Sequence, residues 1–292
     1  MLLVYDMELS VGEMSQILGQ SQPRVSRHIR ILSEAGLLER RKEGSWVFMR
    51  LGPAARMPPL RQLLFTDGAV LPFAARDRAK LIEVRQESAR QAESWFEAHA
   101  AEWDCMRSLH VAEGEVESMI TAMLAGRAFN RMMDVGTGTG RMIELLGGQA
   151  RHVLALDRSP AMLRLARSKL DRTPSSVGNP VDFLLGDFQE LPVEDATCDL
   201  LVYHQVLHYA QFPERVVGEA ARVLAPGGQV LIVDFAAHDR EELRSRHAHA
   251  RLGFDDKAME HWMALAGIAL ERVEQVNGGA LTVKLWLGRR RD

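Results

Sequence analysis

The chain has 292 residues, 47% apolar and 26% charged, with a formal net charge of −3, which suits one large or two ordinary domains and excludes a globally basic nucleic-acid coat while leaving room for a local basic surface. No uninterrupted apolar run approaches the roughly 18 residues of a membrane span, and the opening MLLVYDMELS has no basic residue ahead of its apolar part, so neither a membrane anchor nor a signal peptide is expected. Two cysteines, Cys105 and Cys198, without a CxxC, argue for a reducing cytoplasm and against a disulfide framework or a thiolate zinc site.

In chain order, LSVGEMSQIL predicts a short helix with Val11, Met14, Ile17 and Leu18 on one stripe, stopped at Gly19. Ser21 can cap a second helix with Pro23 in its first turn, where a missing N–H costs nothing. Val25, Ile29 and Leu32 share one face of that helix, Arg27 and Arg30 the other, and Gly36 ends it. LLERRKEGSWVFMRL then predicts two strands turning at Glu43-Gly44-Ser45. Helix, turn, helix and a basic hairpin make a winged helix, whose second helix enters the DNA major groove. Between Gln22 and Arg50 seven Arg and Lys residues face three acids, a local balance of +4. Arg24, Arg27, Arg30, Arg41 and Lys42 suit phosphates and guanine edges, and Gln22 and Ser26 can read bases.

The segment SQPRVSRHIRILSEAGLLERRKEGSWVFMRL resembles the ArsR-type winged-helix repressors through recognition helix and wing. The resemblance implies a double-stranded DNA operator and a homodimer. Two departures stand out. Metal-sensing members carry Cys-Val-Cys where this chain has Ser10-Val11-Gly12, so that thiolate site is absent and no metal is expected. The helix that precedes the motif and builds the dimer is reduced to ten residues, which leaves dimerisation to residues upstream of Met1 or to another segment.

LGPAARMPPL (51–60) reads as a connector, with a further break at Thr66-Asp67-Gly68. From Ala74 to Asp104 the sequence is helix-forming, with Leu81, Ile82, Ala89, Ala92, Trp95 and Phe96 apolar, and another helix falls near Glu113–Leu124. The expected division is a winged helix at 1–52, a helical linker and lid at 53–125, and a large domain at 126–292.

In the large domain an apolar strand ends in Asp134, and Gly136, Gly138 and Gly140 follow on alternate positions as a helix begins. HVLALD ends in Asp157, and Ser159-Pro160 caps the next helix. VDFLLGD ends in Asp187. CDLLVYH ends in His204, and its helix stops at Ala225-Pro226-Gly227-Gly228 before QVLIVDF. ERVEQV, a turn at Asn277-Gly278-Gly279 and LTVKLWLG close the pattern. Strands alternating with helices predict a parallel sheet covered on both faces, with a ligand crevice beyond the carboxyl ends of the strands. Asp134, Asp157, Asp187 and His204 all fall there. Asp157 is placed to accept ribose hydroxyls, Asp187 an adenine amino proton with Phe188 against the ring, and Asp134 to orient the loop or meet an ammonium group. The dinucleotide fingerprint is GxGxxG. Here it is GxGxG directly after an acid, which would repel a pyrophosphate and suits the cationic end of S-adenosylmethionine (SAM).

The runs DVGTGTG, LALDRSPAML, GDFQELP, DLLVYHQVLHY and ARVLAPGGQVLIVDF resemble class I SAM-dependent methyltransferases, in that family's order, from about Ala100 to the C-terminus. The resemblance implies an α/β fold, a Rossmann-like domain with a seven-stranded, mostly parallel sheet, and SAM as cofactor. It assigns Met162 to packing on the adenosine and the backbone near His204 to SAM contact. With Thr137, Arg158 and Gly186 flanking the loop and strand ends, these complete the expected cofactor site. Trp95, Phe96, Trp103 and Tyr209 are expected at the lid or substrate wall.

Methyl transfer from a sulfonium needs alignment and desolvation, and a base only if the acceptor loses a proton. His204, His208 and Tyr209 follow the fourth strand and are the catalytic candidates. Arsenite chemistry calls for several converging cysteines, which two cannot supply. HDREELRSRHAHARLGF (238–254) gathers His238, Arg246, His247, His249 and Arg251, which could clamp an anion but read more simply as a solvated helix face. Three readings remain open: a small-molecule methyltransferase tied to transcription, a SAM or S-adenosylhomocysteine sensor for methionine-cycle genes, and a methyltransferase whose winged helix only dimerises.

Overall fold

The computed structural model describes residues 1–5, 8–43, 46–58, 60, 75–84, 87, 112–172, 178–277 and 280–291. Most of the helix expected over 74–104 therefore lies outside the described residues, with Trp95, Phe96, Trp103 and Cys105, as do Gly44-Ser45 and Gly278-Gly279. Among the described residues no helix is long and apolar enough to cross a membrane. The chain forms two compact units, Met1–Ala92 with Asp239–Glu241, and Glu93–His238 with Glu242–Asp292.

The first unit contains β1 (Leu9–Ser10), α1 (Val11–Leu18), α2 (Gln22–Glu34), β2 (Leu38–Glu43), β3 (Trp46–Leu51) and α3 (Pro53–Arg56). Its strands lie in the order β1-β3-β2, all antiparallel. Leu9 and Ser10 are not the start of the first helix, as the apolar spacing predicts. They pair with Met49 and Phe48 of the wing. The boundary is set by a capping box: the Ser10 hydroxyl accepts from the Glu13 amide at 3.2 Å, and the Glu13 carboxylate accepts from the Ser10 amide at 2.7 Å. Met14 and Ile17 of α1 meet Val25 and Ile29 of α2 in a core closed by Leu9, Leu38 and Met49.

The second unit is a seven-stranded sheet. Its elements are α4 (Glu113–Met123), β4 (Phe129–Val135), α5 (Arg141–Leu146), β5 (Ala150–Asp157), α6 (Pro160–Arg172), β6 (Val181–Leu185), β7 (Cys198–His204), α7 (Pro213–Val223), β8 (Leu224–Phe235), α8 (Glu242–His247), α9 (Asp256–Leu265), β9 (Ile268–Val276) and β10 (Val283–Arg290). The order is β6-β5-β4-β7-β8-β10-β9, parallel up to β8, with β10 antiparallel to both β8 and β9. The winding reverses between β4 and β7, the place where open α/β sheets hold ligands.

Side chains alternate across this sheet, so each strand feeds two cores. Met132, Val153, Leu200, Val202, Leu231 and Val233 pack with Val116 and Ile120 of α4 on one face. Met133, Val135, Leu154, Leu201, Tyr203 and Ile232 pack with Val216 and Ala220 of α7 and Met259 of α9 on the other. Both faces of β4, β7 and β8 are apolar because both are covered. The Ala225–Gly228 run, expected as a helix stop, is part of β8, with a register shift against β7 between Cys198 and Leu200.

Candidate functional site

The turn after β4 is forced by backbone geometry. Gly136 has φ +71°, and a Cβ there would stand 2.5 Å from Cγ2 of Val206. Glycine is thus required twice over, by conformation and by the close approach of the loop that follows β7. Gly138 and Gly140 also adopt positive φ. The amides of these glycines and of Thr137 are satisfied within the fold. Gly136 and Thr137 donate to the Leu156 carbonyl, each at 2.8 Å, and Gly140 donates to that of Thr137. Gly138 donates to Asp157 Oδ2 at 2.9 Å.

The carboxylates at the strand tips are linked to this loop and to each other. Asp134 is buried, and Thr137 Oγ1 donates to its Oδ2 at 2.6 Å. Asp157, at the end of β5, accepts from Ser159 N at 2.8 Å besides Gly138. Burial raises its pKa above the usual aspartate value, against the opposing pull of the backbone amides of Ser159, Gly138 and Arg158. Gly186 donates to the Asp157 carbonyl at 3.1 Å. Arg158 stands 3.9 Å from Asp187, whose other oxygen accepts from Gln189 N at 2.9 Å. Asp134, Gly136, Thr137, Gly138, Asp157, Arg158, Gly186 and Asp187 are therefore gathered by these bonds at the carboxyl ends of the strands, beside Gly140 at the cap of α5.

Other expected members take different surroundings. Met162 is buried at the start of α6, its amide toward Ser159 Oγ at 3.3 Å. Phe188, expected against an adenine, is packed in the core with Met133, Leu154 and Leu191. His204 ends β7 half-buried, and Gln205 follows at φ +55° with its amide on the Val233 carbonyl. His208 is 1% exposed, and its Nδ1 lies 2.8 Å from Oδ1 of Asp234, which is 0% exposed. Tyr209 packs its ring 4.1 Å from that of His208, and burial, helped by Asp234, pushes its phenol well above the usual range.

The segment 238–254 corrects the expectation of a solvated helix face. Only α8 is helical, and Ala248 at φ +56° turns the chain back inward. His249 and Arg251 are buried: the His249 ring packs at a tilt against His208, centroids 4.1 Å apart, and Arg251 Nη2 donates to the Gln211 carbonyl at 2.6 Å. The amides of Ala250 and Arg251 both donate to the His208 carbonyl. His247 and His249 thus do not share a helix, and the described residues hold no His, Cys, Asp or Glu group suited to a metal ion. Cys198 is buried at the start of β7, its thiol pushed up to about 12 by burial.

Sequence reasoning also missed two pins. Arg141, first in α5, grips Glu117 of α4 through two bonds of 2.7 and 2.6 Å and Glu144 at 3.0 Å. Asp234 was legible only as the end of a strand.

In the first unit, Gln22, Arg24, Ser26, Arg27 and Arg30 are all exposed along α2, as is Lys42 on the wing. Arg30 reaches Glu34 at 3.8 Å across an exposed helix turn, a pair worth little. Arg41 does not belong with them. Its guanidinium bonds Glu8 at 2.9 Å and Glu43 at 2.7 Å and lies over the Phe48 ring, so its charge is matched within the fold.

Residues 133–232 match the profile of a methyltransferase domain, and residues 1–40 that of the arsR family of bacterial regulatory proteins. The chain is 35% identical over 106 residues to an uncharacterized methyltransferase of Mycobacterium bovis, covering 36% of this chain and 40% of that protein. It is 34% identical over 116 residues to a malonyl-[acyl-carrier protein] O-methyltransferase of Methylococcus capsulatus, covering 39% and 40%. It therefore spans about two fifths of the length of these curated relatives. The crystal structure of the N-methyltransferase NodS from Bradyrhizobium japonicum, solved with S-adenosyl-L-homocysteine, superposes with a TM-score of 0.57 at 18% identity, over 69% of this chain and 99% of that one. This chain joins an arsR-family regulatory segment to a methyltransferase domain of the class I, Rossmann-like fold.

Proposed function

We propose that the chain is a SAM-dependent methyltransferase of a small-molecule acceptor, and that its winged helix binds an operator on double-stranded DNA. The observation that carries the cofactor reading is the closed set of loop amides. Phosphate-binding loops aim their N–H groups at the ligand. Here the amides of Gly136, Thr137, Gly138 and Gly140 are satisfied within the fold, and the neighbouring side chains are carboxylates. Of the nearby guanidinium groups, Arg141 is tied to Glu117 and Glu144 and Arg158 faces Asp187. Such a site suits an adenosyl ligand that carries a cation.

In this reading Asp157 holds the ribose hydroxyls through the oxygen lone pairs left after its backbone bonds. Asp187 accepts from the adenine, and Met162 with the loop around Gly186 closes on the base. Asp134 acts through Thr137, fixing the loop rather than touching the ligand. The Gln205–Val206 segment, pressed against Gly136, sets the distance between loop and acceptor space. When bound, SAM supplies a methyl group already activated for in-line transfer, so alignment and water exclusion are the protein's main tasks.

On DNA, Arg24, Arg27, Arg30 and Lys42 take phosphates or guanine edges, with Gln22 and Ser26 at bases. The division into winged helix (1–52), linker and lid (53–125) and catalytic domain (126–292), the homodimer and the cytoplasmic setting complete the reading. They rest on the ArsR resemblance, the composition shift near residue 52 and the sparse cysteines. Calorimetry with SAM and S-adenosylhomocysteine, with and without upstream DNA, tests the whole. Micromolar binding of either ligand and salt-dependent DNA binding are expected, and indifference to both ligands at millimolar concentration would overturn it. Labelled-methyl transfer to a metabolite extract separates an enzyme from a sensor. A sensor requires operator affinity to change with ligand, because coupling needs differential affinity between states.

A further inference from the structure

Beyond the strand-tip carboxylates lies a second buried polar group. His208 sits in the 3-10 turn Leu207–Tyr209 after β7, and Asp234 near the end of β8. Asp234 accepts from the His208 amide at 3.1 Å and the Phe235 amide at 2.8 Å, and it pairs with His208 Nδ1 at 2.8 Å. The carboxylate is thereby locked in place and selects the ring tautomer with its proton on Nδ1. The other ring nitrogen, Nε2, is buried and has no hydrogen-bond partner among the described residues. An acceptor atom kept dry and unmatched calls for a ligand group or a function. The dyad lies two residues beyond Val206, the side chain that abuts Gly136, in the loop that follows β7 at its carboxyl end.

We propose that His208, positioned by Asp234, is the proton acceptor of the methyl-transfer site, and that the methyl acceptor is a phenol or an enol. This rests on the methyltransferase reading above. A thioether or a tertiary amine has no proton to lose and would leave the dyad idle. Among hydroxyl acceptors a phenol or enol is the stronger acid, so it gives up its proton to imidazole most readily when attack and proton loss occur together. In that step the acceptor oxygen, or the enol carbon, forms a bond to the methyl carbon as the C–S bond breaks with its electron pair going to sulfur. The acceptor's proton passes to Nε2, and Asp234 stabilises the imidazolium until water takes the proton. Tyr209 is a poorer base, because its phenol is held protonated by burial.

The groups facing His208 are Asp234, Tyr209, Phe235, His249 and, through its amide, Arg251. The backbone at 250–254 is pinned to His208, His238 and Phe235. An acceptor that reaches Nε2 must therefore displace one of the rings of Tyr209, Phe235 or His249 that surround the imidazole.

The test uses the full chain. Nitrogen NMR of labelled histidines should show the neutral form of His208 carrying its proton on Nδ1. The Nε2 tautomer overturns the proposal without any acceptor in hand. Methyl-labelled SAM is then offered with catechol, dimethylaminoethanol and a metabolite extract. Expected is an O- or C-methyl product. His208→Asn and Asp234→Asn should each lower the rate by on the order of 100-fold or more, while SAM affinity by calorimetry stays within about threefold. Two variants guard against one failing to fold. A product that is only a quaternary ammonium or sulfonium overturns the proposal. So does unchanged transfer in both variants, or no product from protein that binds SAM. Wild-type protein that binds no SAM overturns the methyltransferase reading itself.

Discussion

The loops at the carboxyl ends of the strands in the second unit and helix α2 of the first are built by opposite means. In those loops the backbone carries the design. Gly136, the closed loop amides, the buried Asp134 and the half-buried Asp157 hold their places through bonds to main chain or to one another. On α2 the working groups are exposed side chains at the ends of long stems, and the fold below supplies only a platform of Val25 and Ile29. A backbone-built site is rigid and fails abruptly. A side-chain site is graded and weakens one charge at a time.

The largest effect that comparison predicts is at Gly136. Gly136→Val places a branched side chain at φ +71° and against Val206. SAM affinity by calorimetry should fall on the order of 100-fold or more, with DNA binding retained. A tolerated substitution would show that the loop is not backbone-determined. Next comes Arg27→Ala with Arg30→Ala. Each arginine–phosphate ion pair removed should flatten the log-log salt dependence of operator binding by about 0.9. The double variant should therefore flatten it by roughly twice as much in a salt titration, with SAM binding unchanged.

At Asp157 the expected change is smaller, about tenfold in SAM affinity for Asp157→Asn, the scale of one charge-assisted hydrogen bond. The sign with pH follows from the raised carboxyl. The ionised form accepts the ribose hydroxyls, so wild-type affinity should weaken as pH falls, beginning above the usual aspartate range. The asparagine variant should show no such step. Smallest is Ser10→Ala, which removes the cap of α1. It should cost about 1 kcal/mol in denaturant unfolding of the first unit and leave SAM affinity untouched.

Much of both regions was legible in the sequence because the signals are local. Strand ends at Asp157 and His204 and within one residue of Asp134, the glycines on alternate positions and the exposed arginines of α2 follow from periodicity and turn chemistry over a few residues. The failures all involve partners far along the chain. Leu9–Ser10 reads as helix until β3, some 40 residues on, offers it a strand partner. Arg41 reads as a phosphate ligand until Glu8 comes within 2.9 Å.

His249 and Arg251 show the same limit most sharply, since their polarity alone predicts a wet surface. They are buried because His208 offers its carbonyl to the amides of Ala250 and Arg251, its ring to His249, and Gln211 its carbonyl to the Arg251 guanidinium. The alternation of strands and helices, the place of the glycine turn and the acidity of the strand tips were written in the order of residues. Those properties depend on side-chain pattern and on φ, which each short stretch carries within itself. Folding alone settled which charges are matched inside the protein and which remain for a ligand, and that Asp234 stands behind His208. Hydrogen bonds and burial depend on distance in space, and the chain brings those groups together only when the sheet is assembled.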